Sequence, residues 1–203
     1  CRKMAKPRRC DWAKLKRLAR YLVGKPRMVQ SFPWQRLPDR IDCYVDTDYA
    51  GCLETRKSTS GGVILHGTHC LRTWSTTQSV VALSSGEAEL YGIVKGASMS
   101  IGLQSVLKDI DIQLDVIIHS DSAAARGMVK RNGLGKVRHI HVQELWVQDA
   151  LREGRFTLQC VLGYDNCADL LTKHLEEKSM VRHAERIGLA ILSGKSEIAP
   201  HVA

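Results

Sequence analysis

Four carboxylates, each in its own short sequence pattern, are the residues of this chain whose types and spacing could carry out chemistry. They are Asp46 after a Tyr-Val pair, Glu89 in a Ser-Ser-Gly-Glu-Ala-Glu stretch, Asp121 after an apolar run, and Asp169 ahead of Leu-Leu. Hard divalent cations such as Mg²⁺ take oxygen ligands, and two of them about 4 Å apart can hold the attacking and the leaving oxygen of a phosphodiester. A site built from these carboxylates would therefore hydrolyse a nucleic acid.

The first of these residues is expected on a strand. Apolar residues alternate with period two from Ile41, which predicts a strand that carries Asp46. Glycine-containing stretches then separate it from two further predicted strands, near 63–66 and 70–75. Three strands in succession with short connections predict an antiparallel meander.

The second carboxylate is expected on a helix. Ser84 and Glu87 have the spacing of a capping box, which predicts the start of a helix that runs to about Lys108. This segment is apolar on most sides, so the helix should be largely buried. Glu89 then lies near its first turn.

The remainder of the chain alternates between the two kinds of element. It predicts a strand at 116–119, helices at 122–131 and 138–153, a strand at 156–162, and a helix from about 166. The order βββαβααβα therefore predicts an α/β domain with a mixed five-stranded sheet flanked by helices.

The positive charge of the chain is concentrated at one end. Residues 1–40 hold 13 Lys and Arg against two acids, so the formal net charge of +9 arises there and the rest is slightly acidic. Trp12, Leu15 and Leu22 recur at helical spacing, which predicts a basic amphipathic helix that ends at Gly24. Such a segment suits a polyanion that docks on the basic N-terminal part and reacts on the part that carries the carboxylates. A solvated charged flank explains the charge about as well.

Seven cysteines are scattered along the chain without a Cys-x-x-Cys pair, which indicates reduced thiols and an intracellular compartment. No apolar run approaches the roughly 18 residues of a membrane span, and the basic start has no apolar stretch behind it. We therefore expect an intracellular protein rather than a secreted one, with no membrane partner.

Four sequence blocks in order resemble the ribonuclease H domain of copia-type retrotransposon polyproteins. The blocks are 44–51 with 56–61, 81–89, 120–124, and 168–173. The resemblance runs from about 11 to 180, and the basic N-terminal helix is similar to the tail of the reverse transcriptase connection region. It implies three parts: 1–40 as that tail, 41–175 as a ribonuclease H-like domain, and 176–203 as a C-terminal helix and tail.

The resemblance also implies an activity and a site. Asp46, Glu89, Asp121 and Asp169 match the four metal-binding, catalytic carboxylates of the family. They would hold two Mg²⁺ ions, with Mn²⁺ as a substitute, and hydrolyse the RNA strand of an RNA–DNA hybrid. The upstream reverse transcriptase domain of the same polyprotein would be a partner.

Two of these assignments involve a choice between neighbouring acids. Glu87 and Glu89 are about 200° apart around a helix, and Glu87 has the capping-box position, which favours Glu89 as the ligand. Asp46 lies within the apolar alternation whereas Asp48 lies where the chain leaves the strand, which favours Asp46. Asp48 is kept as a supporting group.

Substrate contacts are expected from two polar stretches. The first, where the family has its substrate loop, suits phosphate and 2′-hydroxyl contacts and consists of Arg56, Lys57, Ser58 and Thr59. The second could hold phosphates of the DNA strand, or could be an ordinary charged loop, and consists of Lys130, Arg131, Lys136, Arg138 and His139.

Two alternatives to an active ribonuclease stay open from the sequence. The chain could be a catalytically degenerate nucleic-acid-binding module of a decayed element, which its start with Cys rather than Met favours. Ser122 and His174 stand where the family usually has Asn and Pro, but neither is a metal ligand, so these departures do not exclude activity. It could also be an unrelated metal-dependent nuclease that uses only Asp46, Asp48 and Glu89.

Overall fold

A computed structural model describes residues 4–135 and 139–194 of the chain. The chain divides into two compact units, formed by residues 32–188 and by residues 4–31 with 189–194. The domain boundaries at 40/41 and 175/176 stay a prediction.

The described residues contain five α-helices and seven strands. In chain order they are α1 (Arg9–Gly24), β1 (Arg27–Gln30), β2 (Arg40–Asp48), β3 (Thr59–His66), β4 (His69–Thr77), α2 (Ser85–Lys108), β5 (Asp115–Ser120), α3 (Ala123–Lys130), α4 (Trp146–Arg152), β6 (Thr157–Cys160), α5 (Glu177–Arg186) and β7 (Leu189–Leu192). Short 3₁₀ helices lie at Val142–Leu145, Gly163–Asp165 and Cys167–Leu171.

The larger unit contains a five-stranded sheet in the order β4-β3-β2-β5-β6. β3 pairs antiparallel with both β4 and β2, whereas β5 pairs parallel with both β2 and β6. The predicted mixed five-stranded sheet with flanking helices is confirmed. Because β2, β5 and β6 run in the same direction, their carboxyl ends meet at one edge of the sheet.

Helix α2 packs across the sheet and closes the core. Ile41 and Val45 of β2, Ile118 of β5 and Ile93 of α2 are fully buried in one apolar cluster. The helix approaches the sheet closely at Gly96, where a Cβ atom would lie 2.5 Å from the Val45 Cγ1 atom. Asp46 on β2 and Glu89 on α2 are therefore carried by two elements that a tight interface holds together.

Two of the predicted helices differ from the observed structure. The segment from 166 forms a 3₁₀ helix rather than an α-helix, and its start is fixed because the Asn166 amide donates to the Val45 carbonyl at 3.0 Å. In the segment predicted as a helix at 138–153, the described residues form a 3₁₀ turn at Val142–Leu145 followed by the short helix α4. Local periodicity does not reveal the first difference, because the Asn166 contact with Val45 spans 121 positions.

The smaller unit contains α1 and the antiparallel pair of β1 with β7. None of the residues of α1 is buried, and its first turn is held by the Arg8 N–H, which donates to the Asp11 carboxylate at 2.9 Å. The sequence analysis predicts no strand where β1 forms. Strand β1 pairs with residues more than 150 positions away, so no local pattern reveals it.

None of the helices in the described ranges combines the length and the apolar character that a membrane crossing requires. The six cysteines within these ranges are free thiols.

Two glycines of α2 give a matched test of how tightly this helix packs. We expect Gly96→Ala to lower the free energy of unfolding by about 1–3 kcal/mol, because the added methyl group overpacks the interface with Val45. A Cβ atom at Gly102 would have no neighbouring atom within 4 Å, so Gly102→Ala should raise this free energy by up to about 1 kcal/mol through helix propensity. Urea denaturation of both variants measures the difference. Equal effects would contradict the close approach at Gly96.

Candidate metal and nucleic-acid site

Three of the four predicted carboxylates meet at the carboxyl edge of the sheet. One oxygen atom from each of Asp46, Glu89 and Asp121 lies within 4.8 Å of the other two. Asp46 lies near the end of β2, and Asp121 directly follows β5. Glu89 projects from the first turns of α2. The parallel pairing of β2 with β5 therefore brings the aspartates together, and the start of α2 adds the glutamate.

Glu87 has a different role from Glu89. Its buried carboxylate accepts hydrogen bonds from the Leu83 N–H at 3.0 Å and the Tyr91 hydroxyl at 3.1 Å, and the His139 ring lies at 2.8 Å. These contacts occupy both of its oxygens and hold the start of α2. By contrast, Glu89 Oε2 is buried and has no hydrogen-bond partner among the described residues.

Burial and the neighbouring negative charges both act against ionisation of Glu89. Burial first, and then the neighbouring Asp46 and Asp121 carboxylates, raise the pKa of Glu89 to about 8 against a smaller opposite effect of Lys173. Three convergent carboxylate oxygens with one unpaired oxygen are the donor set that a hard divalent cation prefers. Asp46, Glu89 and Asp121 therefore fit one such ion.

Asp169, the fourth predicted ligand, lies beside this group and is not part of it among the described residues. The Lys173 ammonium lies 2.9 Å from Asp169 Oδ1 and 2.9 Å from Asp46 Oδ1. The Thr172 hydroxyl donates to the other oxygen of Asp46. The ammonium thus bridges the two aspartates, and Asp169 is joined to the three-carboxylate group through Lys173.

The two charges of this bridge respond differently to burial. Burial raises the pKa of Asp169 even though the Lys173 hydrogen bond lowers it, and the nearby Asp46 carboxylate raises it again. For Lys173, burial lowers the pKa, but the hydrogen bonds to Asp169 and Asp46 outweigh it and the net shift is upward. The Lys173 ammonium therefore keeps its positive charge, because it has two carboxylate partners at hydrogen-bonding distance.

A close approach to the sheet fixes the segment that carries Asp169. Gly61 is paired with Asp46 across β2 and β3, and a Cβ atom at Gly61 would lie 2.7 Å from Thr172 Cγ2. The Ser75 hydroxyl donates to the Leu171 carbonyl at 2.6 Å. Only a residue without a side chain at this position leaves room for Thr172 against the sheet.

The predicted substrate loop is held largely by its own polar groups. The Thr59 N–H donates to Asp48 Oδ1, and the Ala50 N–H donates at 3.0 Å to the hydroxyl of Ser58, which is fully buried. Asp48, Ser58 and Thr59 therefore close the turn after β2. Sequence reasoning placed Asp48 near the site but could not show that its carboxylate caps a backbone N–H.

The two cations of this loop lie in different surroundings. The Lys57 ammonium donates to the Ser79 carbonyl, which ties the loop to the segment before α2. Arg56 is exposed and adopts a positive φ of 57°. Arg56 is thus the cation of the loop that is the more open to solvent.

The second predicted basic stretch is described in part. Lys130 is exposed, the Arg131 guanidinium donates to the Leu134 carbonyl, and His139 lies against Glu87. Two residues of this stretch lie outside the described residues, namely Lys136 and Arg138.

Sequence reasoning missed Thr172 and Lys173 as site residues. Both lie in the last family-like block, 168–173, but the block itself does not indicate a role for either residue. Lys173 follows Asp169 by four positions, a spacing at which opposite charges commonly meet, and this signal could have identified the pair. Its second contact, with Asp46, spans 127 positions and depends on the fold.

Comparison with solved structures finds ribonuclease H proteins. LC11-RNase H1, solved in complex with an RNA/DNA hybrid, is 19% identical with a TM-score of 0.47, over 66% of this chain and 94% of that chain. The N-terminal RNase H domain of rv2228c from Mycobacterium tuberculosis is 18% identical with a TM-score of 0.46, over 72% of this chain and 96% of that chain.

Comparison of sequences finds transposon polyproteins, whereas no protein-family model matches. The Pol polyproteins of transposons RE2 and RE1 from Arabidopsis thaliana are each 28% identical, over 88% and 86% of this chain. That of transposon TNT 1-94 from Nicotiana tabacum is 25% identical over 90% of it. The chain spans 12 to 14% of the length of these relatives. The predicted resemblance is confirmed, and the chain is similar in sequence to one part of the retrovirus-related Pol polyproteins of plant transposons.

Proposed function

We propose that this chain is a ribonuclease H domain that hydrolyses the RNA strand of RNA–DNA hybrids during replication of a retrotransposon. The observation that carries the proposal is the convergence of Asp46, Glu89 and Asp121 within 4.8 Å. The homology to transposon Pol polyproteins supports the biological setting, because such an element copies RNA into DNA. The upstream reverse transcriptase domain would then supply the hybrid, inside the cell that carries the element.

The proposed chemistry depends on a divalent cation, of which Mg²⁺ is the expected ion. Asp46, Glu89 and Asp121 would hold it, and when bound it lowers the pKa of an attacking water and stabilises charge on the phosphate. The chain itself fixes the three ligand oxygens on strand β2, directly after strand β5 and on helix α2. Positioning on strands and helices rather than on loops is what a catalytic ion requires.

Two exposed basic residues are available for the phosphates of a hybrid. Arg56 is exposed in the loop after β2, and Lys130 is exposed at the end of α3. Both would contact the sugar-phosphate backbone, which positions a duplex without reading its sequence. Hybrid specificity would then arise from 2′-hydroxyl contacts and duplex shape.

One observation favours a second candidate function, a nucleic-acid-binding module without turnover. The Lys173 ammonium already neutralises part of the charge on Asp46 and Asp169. A degenerate nuclease could keep its carboxylates by such pairing without needing a cation.

A substrate panel separates the two candidates. End-labelled RNA–DNA hybrid, duplex DNA, duplex RNA and single-stranded RNA are incubated with the full chain, with Mg²⁺ or with a chelator. Cleavage of the RNA strand of the hybrid alone, and only with Mg²⁺, supports the proposal. Binding of the hybrid without cleavage under either condition supports the module, and cleavage of duplex DNA contradicts both.

The two neighbouring glutamates of α2 provide a matched pair of variants. We expect Glu89→Gln to lower hybrid cleavage well beyond the roughly 10 to 100-fold that a residue behind a metal ligand contributes. Glu87→Gln should retain cleavage and lose about 1–3 kcal/mol of unfolding free energy, because it weakens buried hydrogen bonds at the start of α2. Cleavage rates and urea denaturation test both. Loss of cleavage in Glu87→Gln alone would overturn the assignment.

The raised pKa of Glu89 predicts how the stability of the metal-free protein depends on pH. Since the folded pKa of about 8 exceeds the ordinary value of 4.5, the protonated carboxyl is favoured in the folded state, and this stability is lost as pH rises through 8. We expect the melting temperature with chelator to fall more steeply between pH 5 and pH 9 for the wild type than for Glu89→Gln.

Mg²⁺ provides the control for this pH dependence. It should recover the lost stability at high pH in the wild type and have little effect in Glu89→Gln, because the ion replaces the proton as the partner of the carboxylate. Parallel melting curves of the two proteins at both pH values would disprove the role of Glu89.

A further inference from the structure

The ammonium group of Lys173 lies where it neutralises two of the four carboxylates directly. It contacts Asp46 Oδ1 and Asp169 Oδ1 at the same distance of 2.9 Å, while the Thr172 hydroxyl contacts the second oxygen of Asp46. Asp46 is 1% exposed and Asp169 is 9% exposed, so the bridge lies between two buried groups. Any other cation that joined Asp46 to Asp169 would have to displace Nζ from both.

The backbone that carries the bridge is held in place, although the Lys173 side chain is 41% exposed. The backbone N–H of Lys173 donates to the Asp169 carbonyl at 3.0 Å, and the Asn166 amide anchors the start of the same segment on β2. Gly61 leaves the space that Thr172 fills against β3. Packing therefore fixes the backbone at Lys173, and the two carboxylates position its ammonium group.

The two sides of Asp46 differ in whether a positive charge of the chain is present. Toward Glu89 and Asp121, three carboxylate oxygens converge and Glu89 Oε2 has no partner among the described residues. Toward Asp169, a cation of the chain itself is already present. The first location fits a divalent ion, and the second does not while Lys173 stays in place.

We infer that Lys173 is a built-in cation that takes the place of a second divalent ion between Asp46 and Asp169. The free protein then binds one ion, held by Asp46, Glu89 and Asp121, instead of the two that its four carboxylates suggest. Lys173 is a positioning residue in this scheme, and Asp169 is its counter-ion. The inference rests on the proposed function for the nature of the first site.

Removing the charge of Lys173 should change metal binding in two ways. In Lys173→Met, Asp46 and Asp169 lose their cation, so a second Mn²⁺ ion should bind. The first ion should also bind more tightly, by on the order of tenfold, because a positive charge that touches the same carboxylate no longer repels it. In the absence of metal, the variant should melt at a lower temperature, and Mn²⁺ should raise this temperature more than in the wild type.

The experiment is calorimetric titration of Mn²⁺ into the full 203-residue chain, with melting curves alongside. The wild type should bind one ion per chain and Lys173→Met two, whereas Lys173→Arg keeps the charge and should bind one. Lys95→Met is the matched control, since Lys95 pairs with the Thr76 hydroxyl, and it should bind one ion as the wild type does.

Asp169→Asn keeps the inference testable if Lys173→Met does not fold. With Asp169 as counter-ion only, this variant should bind the first ion within about threefold of the wild-type affinity, well under the roughly 10 to 100-fold range for groups behind a ligand. Loss of the ion in Asp169→Asn would show that Asp169 is a ligand in the free protein and would overturn the inference.

The remaining outcomes separate this inference from the proposed function. Two ions in the wild type, or one ion of unchanged affinity in Lys173→Met, would show that Lys173 is merely a structural salt bridge. Either result would leave the proposed function intact if the hybrid is cleaved with Mg²⁺. No ion bound to the wild type, with no cleavage, would overturn both.

Discussion

Repulsion between like charges in a partly buried site is the constraint on which the rest of this structure depends. Asp46, Glu89 and Asp121 lie within 4.8 Å of one another, and Asp169 is joined to Asp46 through Lys173. Burial strengthens the repulsion, since less water screens the charges. The fold has to hold the group together against this force, which requires elements that are stable for other reasons.

The stable elements are the parallel strands and the helix that crosses them. Fully buried apolar residues of β2, β5 and α2 form the core of the domain that carries the site. Glu87 adds a local restraint, because its carboxylate takes up the Leu83 N–H, the Tyr91 hydroxyl and the His139 ring. One glutamate thus secures the helix start so that the next, Glu89, can be held with an unpaired oxygen. The two residues are close in sequence, but they have opposite effects on stability.

The sequence predicted the parts of this arrangement that depend on local patterns. The alternation from Ile41, the capping box at Ser84 and the element order were sufficient for the mixed sheet and for α2. The 3₁₀ helix that carries Asp169 was missed, because the Asn166 contact with Val45 spans 121 positions. The same reason explains the smaller sheet of β1 with β7. Composition and spacing cannot reveal contacts that exist only after the strands have paired.

The candidate site shows the same limit at the level of single residues. A match to family-like blocks indicates which carboxylates belong together, but it does not indicate how their charge is balanced. The balance of charge depends on where the segment after β6 packs. The packing of that segment depends in turn on Gly61, which lies opposite Asp46. Because that packing delivers Lys173 to Asp46, part of the positive charge of the site is covalently attached to the chain. A site balanced in this way carries less net negative charge before it meets a metal ion, and the unpaired Glu89 Oε2 is left for an ion to satisfy.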